Sequence, residues 1–243
     1  MTRQPLIAAM ILALAACGGG GGAGTGTDAP PTIDSTPVPA TITISGVAST
    51  ISITGKANSA GVAIVAKKVS DDSTIAMATS AADGVFMITA PTNGVPVDAY
   101  LVATKSGLID TYLYPPGPLS MDFANVPIYQ MTTSTQSTAN SVGGADAQTA
   151  TQAWIGAVVQ DAAMTGVEGA VFTATPTGGM VHYNSAQGLP QSQAVATAAD
   201  GVAYYMNAPA GNVTVGATKT GMTFHSHTLN ARAGKITLTL VAP

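Results

Sequence analysis

Three blocks of residues occur twice in this chain, in the same order, and that duplication limits it to folds that can be built from two like modules. Ala76-Met77-Ala78-Thr79-Ser80-Ala81-Ala82-Asp83-Gly84-Val85 returns as Ala194-Val195-Ala196-Thr197-Ala198-Ala199-Asp200-Gly201-Val202. Each is followed by an Ala-Pro pair, Ala90-Pro91 and Ala208-Pro209, and Ala103-Thr104-Lys105-Ser106-Gly107 then returns as Ala217-Thr218-Lys219-Thr220-Gly221. The spacing is far above the short periods of stacked solenoid repeats, so the expectation is two complete globular copies. Residues 131–151, rich in Thr, Ser, Gln, Asn and Ala around Gly143-Gly144, read as the linker between them. Copy one is then 41–130 and copy two 152–243.

Within each copy the pattern is that of strands. Thr41-Ile42-Thr43-Ile44, Ile51-Ser52-Ile53-Thr54, Val213-Thr214-Val215 and Ile236-Thr237-Leu238-Thr239-Leu240 alternate polar and apolar residues, the period of a half-buried strand. Asp83-Gly84 and Asp200-Gly201 read as hairpin turns, because glycine supplies the positive φ such turns need. With 46% hydrophobic but only 8% charged and 5% aromatic residues, the chain lacks the charged outer stripes of surface helices. An all-β fold of two tandem sandwiches follows. Eight Lys and Arg against 12 Asp and Glu leave no basic surface for a phosphate backbone, which excludes nucleic acid as a partner.

The N-terminus carries its own signal. Arg3 is a short positive region, residues 6–13 are apolar, and Leu14-Ala15-Ala16 sets small residues just before Cys17. That apolar run is too short to span a bilayer. The segment resembles the bacterial lipoprotein signal, in which a Leu and two small residues precede the lipidated cysteine. The resemblance implies cleavage before Cys17 and acylation of its sulfur and amine; several acyl chains together make a durable anchor. Gly18 after Cys17 implies, by the same resemblance, an outer-membrane address in a double-membrane bacterium. Five glycines at 18–22 and prolines at 30, 31, 37 and 39 make residues 18–40 a tether rather than a folded element.

The duplicated blocks also resemble the carboxypeptidase regulatory-like family, a transthyretin-like, Ig-like β-sandwich. In copy two the matching pieces are Ile155-Gly156-Ala157-Val158-Val159, Gly169-Ala170-Val171-Phe172, Thr197-Ala198-Ala199-Asp200-Gly201-Val202, Pro209-Ala210-Gly211 and Lys219-Thr220-Gly221. In copy one they are Gly61-Val62-Ala63-Ile64-Val65, Asp83-Gly84-Val85-Phe86, Pro91-Thr92-Asn93-Gly94 and Lys105-Ser106-Gly107. Copy two departs in two ways: Ala203 stands where the hairpin Phe is expected, and residues 177–193 are a longer insertion. Turn-and-core motifs of this kind imply a fold, not an activity.

Catalytic constellations are scarce. The chain has one cysteine, one glutamate (Glu168), no Gly-x-Ser-x-Gly elbow, no P-loop and no His-x-x-Glu pair, so the expectation is a non-catalytic protein without a cofactor. Two binding readings stand beside it. His225 and His227, two apart on a strand, would share a face and form half of a metal site, with His182 from the insertion as a third ligand and Met222 as a soft one suited to copper. The same histidines also read as ordinary polar strand residues, with Leu229 in phase with them. Tyr112, Tyr114, Trp154 and Tyr205, with Tyr204 beside the last, could stack on a sugar, although core packing is the commoner use of sparse aromatics. The expected role is a lipid-anchored envelope protein for display or binding, its partners the membrane and a glycan or another envelope protein.

Overall fold

The structure, a computed structural model, describes residues 37–52 and 54–243. Copy one contains β1 (Thr41–Ser52), β2 (Gly55–Asn58), β3 (Ala63–Lys68), β4 (Thr74–Thr79), β5 (Val85–Pro91), β6 (Ala99–Thr104), β7 (Thr111–Tyr114) and β8 (Phe123–Gln130). A helix, α1 (Thr133–Gly143), lies between the copies. Copy two contains β9 (Gln152–Val159), β10 (Val171–Thr175), β11 (Met180–Asn184), β12 (Pro190–Gln191), β13 (Val202–Pro209), β14 (Gly211–Thr218), β15 (His227–Ala231) and β16 (Ile236–Val241). The fold is all-β with sheets packed as a sandwich, as the alternation of apolar and polar residues predicts.

The copies repeat one wiring. In copy one β1 pairs antiparallel with β5 and parallel with β8; in copy two β9 pairs antiparallel with β13 and parallel with β16. Likewise β6 lies between β3 and β7 as β14 lies between β10 and β15. The sheets are nevertheless not divided between the copies. Strand β16 pairs in parallel with β7, Ile236 opposite Thr111 through Thr239 opposite Tyr114, giving one nine-stranded sheet in the order β12-β11-β13-β9-β16-β7-β6-β3-β4.

Alternation along these shared strands feeds two cores, one on each face. Ile236, Leu238 and Leu240 of β16 join Ile42, Ile44, Phe86 and Ile88 of copy one's smaller sheet in the first core. Val241 joins Ile155, Phe172, Val213 and Leu229 in the second, which also takes in Tyr100, Val102 and Tyr114 from copy one. The smaller sheets of the two copies thus lie on opposite faces of the common sheet. Both faces of β9, β13 and β16 are covered, which explains why these strands are buried almost throughout.

One expectation is corrected. The Asp-Gly pairs do not close hairpins: β4 belongs to the nine-stranded sheet and β5 to the smaller one, so Asp83-Gly84 is a corner at which the chain changes sheet. Asp83 Oδ1 accepts from the Val85 N–H at 3.0 Å and Asp200 Oδ1 from the Val202 N–H at 3.0 Å, so the local turn chemistry is as expected. Gly84 (φ 81°) and Gly201 (φ 69°) are pressed so closely against the carbonyls of Ala48 and Val159 that a Cβ on either would collide. The stretch between the copies carries the one helix among the described residues. Thr132 caps α1, its Oγ accepting from the Thr135 N–H at 3.1 Å, and Gly144 ends it in the left-handed region at φ 82°.

Candidate functional site

Chemistry-bearing side chains gather where the copies meet. Tyr100 on β6 and Tyr112 and Tyr114 on β7 point to one face of the common sheet, and the Tyr100 and Tyr114 rings stack at 4.7 Å with 12° between planes. Arg232, in the turn after β15 of copy two, lays its guanidinium over Tyr112 (4.8 Å to the ring centre) and Tyr100 (5.6 Å). Its Nη2 donates to both carboxylate oxygens of Asp72 at 3.1 Å and to the Tyr100 hydroxyl at 2.8 Å, and that hydroxyl donates to Asp72 at 2.7 Å. The hydrogen bond from Tyr100, aided by Arg232, holds the Asp72 carboxyl below its usual range. Burial, with the bond to Asp72, pushes the Tyr100 phenol up, and burial does the same to Tyr114. A second ion pair, Lys235 to Asp110 at 2.6 Å, also runs from copy two to copy one.

His227 belongs to the same seam. Thr239 donates its hydroxyl hydrogen to the Tyr114 carbonyl at 3.0 Å, so the 2.7 Å contact between His227 Nε2 and Thr239 Oγ1 needs the proton on Nε2. Nδ1 is then a buried acceptor without a partner. Burial lowers the His227 pKa from its ordinary 6.5.

The three histidines do not converge. His225 precedes β15 and is exposed, and its backbone N–H donates to the Ala242 carbonyl at 2.9 Å. His182 lies on β11 opposite Tyr204, whose ring belongs to the core on the other face of the common sheet from His227. It is 5% exposed with Nε2 unpartnered, and burial lowers its pKa. Met222 sits in the turn before His225, bridged to Lys219. Among the described residues no three His, Cys, Asp or Glu side chains stand close enough to share a metal ion. The donor set read from the sequence is spread over two faces because β11 extends the sheet beside β13 instead of folding back over β15.

Three of the four aromatic residues read as a sugar platform are spent internally. Trp154, Tyr205 and Tyr114 are 2%, 2% and 4% exposed and present no ring face to solvent. Trp154 packs on Tyr204 at 5.1 Å and donates its indole N–H to Asn140 of α1 at 3.2 Å. The Tyr205 hydroxyl donates to the Pro176 carbonyl and accepts from the Gly179 N–H, both at 2.9 Å. Tyr112 is only half-buried, with Arg232 over its ring.

Sequence reasoning missed Asp72, Asp110, Asn140, Arg232 and Lys235. One signal was available: in a chain with only eight Lys and Arg, two of them fall within four residues, Arg232-Ala233-Gly234-Lys235. Cys17 lies outside the described residues.

No family model matches the chain, and no curated protein matches it. Among solved structures it is similar to the shaft pilin SpaA from Lactobacillus rhamnosus GG, at 13% identity and a TM-score of 0.27, over 84% of this chain and 98% of that one. It is similar to the Bacillus anthracis TIE protein at 12% identity and a TM-score of 0.26, over 83% of this chain and about a third (34%) of that one. The full-length major pilin RrgB from Streptococcus pneumoniae matches at 9% identity and a TM-score of 0.27, over 83% of this chain and 48% of that one. Likenesses at this distance carry no statement about what the chain does.

Proposed function

We propose that this chain is a non-catalytic, lipid-anchored protein of the bacterial cell envelope, a stiff block of two fused sandwiches displayed on the tether of residues 18–40. The observation that carries this reading is the use of the reactive side chains. Arg232 and Lys235 of copy two contact Asp72, Asp110, Tyr100 and Tyr112 of copy one, and His227 of copy two is tied to Thr239, which donates to the Tyr114 carbonyl of copy one. Such contacts serve rigidity, and rigidity suits display. The lipobox-like run ending at Cys17 supplies the anchor, with the membrane as the partner it commits to and the outer membrane as the address implied by Gly18. Among the described residues no helix is long and apolar enough to cross a membrane.

Metabolic labelling with a tagged fatty acid tests the anchor. The native chain is expected to take up label and sediment with membranes, whereas Cys17→Ser does neither. Label retained by Cys17→Ser, or a native chain that never acquires it, would end the anchoring claim.

A further inference from the structure

The duplication lets a segment of one copy be compared with its counterpart in the other. Ser80 and Thr197 each stand four residues before the glycine of an Asp-Gly turn. Their bonds correspond one by one. The Ser80 carbonyl accepts from the Gly61 N–H, its N–H donates to the Val62 carbonyl, and its Oγ accepts from the Val62 N–H and donates to the Ser59 carbonyl. Thr197 makes the same bonds with Gly169, Ala170 and the Val167 carbonyl. Counting from these anchors, β3 corresponds to β10, and β4 to residues 191–196. Yet 192–196 is not a strand, and β10 pairs with β14 alone, where β3 pairs with both β4 and β6.

A side chain stands where the missing strand would pair. In copy one Ile64 lies opposite Ala78, and the corresponding residues of copy two are Phe172 and Val195. The Phe172 N–H donates instead to the hydroxyl of Tyr183, on β11 of the insertion, at 3.0 Å. Val195 is meanwhile 82% exposed. In the register of β4 it would turn inward beside the buried Phe172, as Ala78 packs on the core that holds Ile64. Residues 192–196, SQAVA, carry no charge that would oppose such burial. On its present path the segment starts against the end of α1, where a Cβ added to Gly144 would stand 2.8 Å from the Ser192 Cβ.

We propose that residues 192–196 are a switch segment, alternating between their present path beside α1 and a strand on β10 in the register that β4 takes on β3. In the strand form Phe172 and Val195 exchange N–H···O=C bonds, so the Val195 carbonyl and the Tyr183 hydroxyl compete for one hydrogen. Thr197 keeps its bonds to Gly169 and Ala170 in both forms and is the hinge. The Phe172 N–H stays bonded either way. Burial of Val195 then favours the strand, and the contact of Ser192 with Gly144 favours the present path. The strand form releases Tyr183 and draws Ser192 from the end of α1, which ties the placing of the insertion to the edge of β10.

Nuclear magnetic resonance of the full chain carrying Cys17→Ser is the test. Saturation-transfer spectra at residues 192–196 are expected to show a minor form with the carbon shifts of a strand. Tyr183→Phe, which keeps the ring and removes the competing hydroxyl, should raise its population about fivefold, the factor expected for one hydrogen bond. Val195→Asp sets a charge beside Phe172 in the strand form only, and should abolish the minor form while the rest of the spectrum stays native. A second readout is the pair Thr173→Cys and Ala194→Cys, the counterparts of Val65 and Met77, which lie opposite each other. Diamide, which takes up the two thiol hydrogens, should close this pair to a disulfide, faster with Tyr183→Phe and slower with Val195→Asp. No minor form in either the parent chain or Tyr183→Phe would overturn the proposal, as would a population and a closure rate indifferent to both substitutions. Exchange confined to β11 and β12 in Tyr183→Phe would also overturn it, since the hydroxyl would then hold the insertion and nothing else.

Discussion

Arg232 shows how much one residue can carry in a chain poor in charge. Its ion pair with Asp72 is partly exposed, the two side chains being 25% and 50% accessible, so the pair alone contributes at most about 1 kcal/mol. The stack on Tyr112 and Tyr100 and the bond to the Tyr100 hydroxyl depend on a flat guanidinium, and an ammonium cannot replace them. Arg232→Ala is therefore expected to cost about 2 kcal/mol and Arg232→Lys about 1 kcal/mol, measured by urea unfolding; a lysine variant as stable as the native chain would show that charge alone matters. The histidines set a pH dependence. Burial holds His182 and His227 below the ordinary imidazole value of 6.5, so below about that pH the unfolded chain takes up protons first. Their contribution is whole above that value and is lost as the pH falls toward the lower folded pKa. Asp72, held low, adds its own loss only below the ordinary carboxyl value of 3.8. Replacing both histidines by Gln should flatten the fall in unfolding midpoint between pH 7 and pH 5, and an unchanged slope would assign that fall to other groups. None of these pairings could be read from spacing, since Asp72 and Arg232 are 160 positions apart and meet only because β16 joins β7. The Asp-Gly turn chemistry was legible because it is local.

At the level of elements, the strands show in the sequence as alternation, whereas α1 does not show at all. Its residues, TSTQSTANSVG, have no apolar stripe; it is held by amides, with Gln136 and Asn140 buried and Val142 outside. Asn140 accepts from Trp154 Nε1 and donates to the Asp146 carbonyl at 3.1 Å and to Asn207 Oδ1 at 3.3 Å. Asn207 itself reaches the Asp146 carbonyl at 3.0 Å from a left-handed position (φ 54°) where β13 carries an extra residue against β9. Asn140→Leu should leave these donors and acceptors unpaired, lowering stability by about 2–3 kcal/mol. It should also shift the emission of Trp154, the one tryptophan in the chain, to the red as water reaches the ring. Native emission in that variant would mean the helix does not depend on the network. The glycines of the two Asp-Gly turns belong to this scale as well. Gly201→Ala forces a side chain into the left-handed region and against the Val159 carbonyl, an expected loss of about 2–4 kcal/mol in thermal unfolding, and Gly84→Ala should behave alike.

For the whole molecule, the question is whether duplication left two folding units or one. Each copy keeps a complete wiring of its own: β1 with β5 and β8 over β3, β6 and β7, and β9 with β13 and β16 over β10, β14 and β15. Strand order alone therefore allows each to close a core. The seam argues for dependence, because separating the copies bares the edges of β7 and β16, breaks Arg232–Asp72 and Lys235–Asp110, and exposes the Tyr100–Tyr114 stack. The duplicated blocks made the first half of this legible; the second was hidden, because the β16 residues that pair with β7 look like those of any half-buried strand. Residues 41–130 and residues 131–243, expressed apart, are expected to fold, each with a melting temperature roughly 10 °C below that of the joined chain, in proportion to about 2 kcal/mol of lost seam. Mixed, they should bind each other, and Arg232→Ala in the second fragment should weaken that binding. A fragment starting at 152 should be less stable than one starting at 131, since α1 then no longer covers Trp154. Fragments that stay unfolded apart yet fold on mixing would show that the cores on the two faces of the common sheet form only together, and that the copies, though duplicated, fold as one domain.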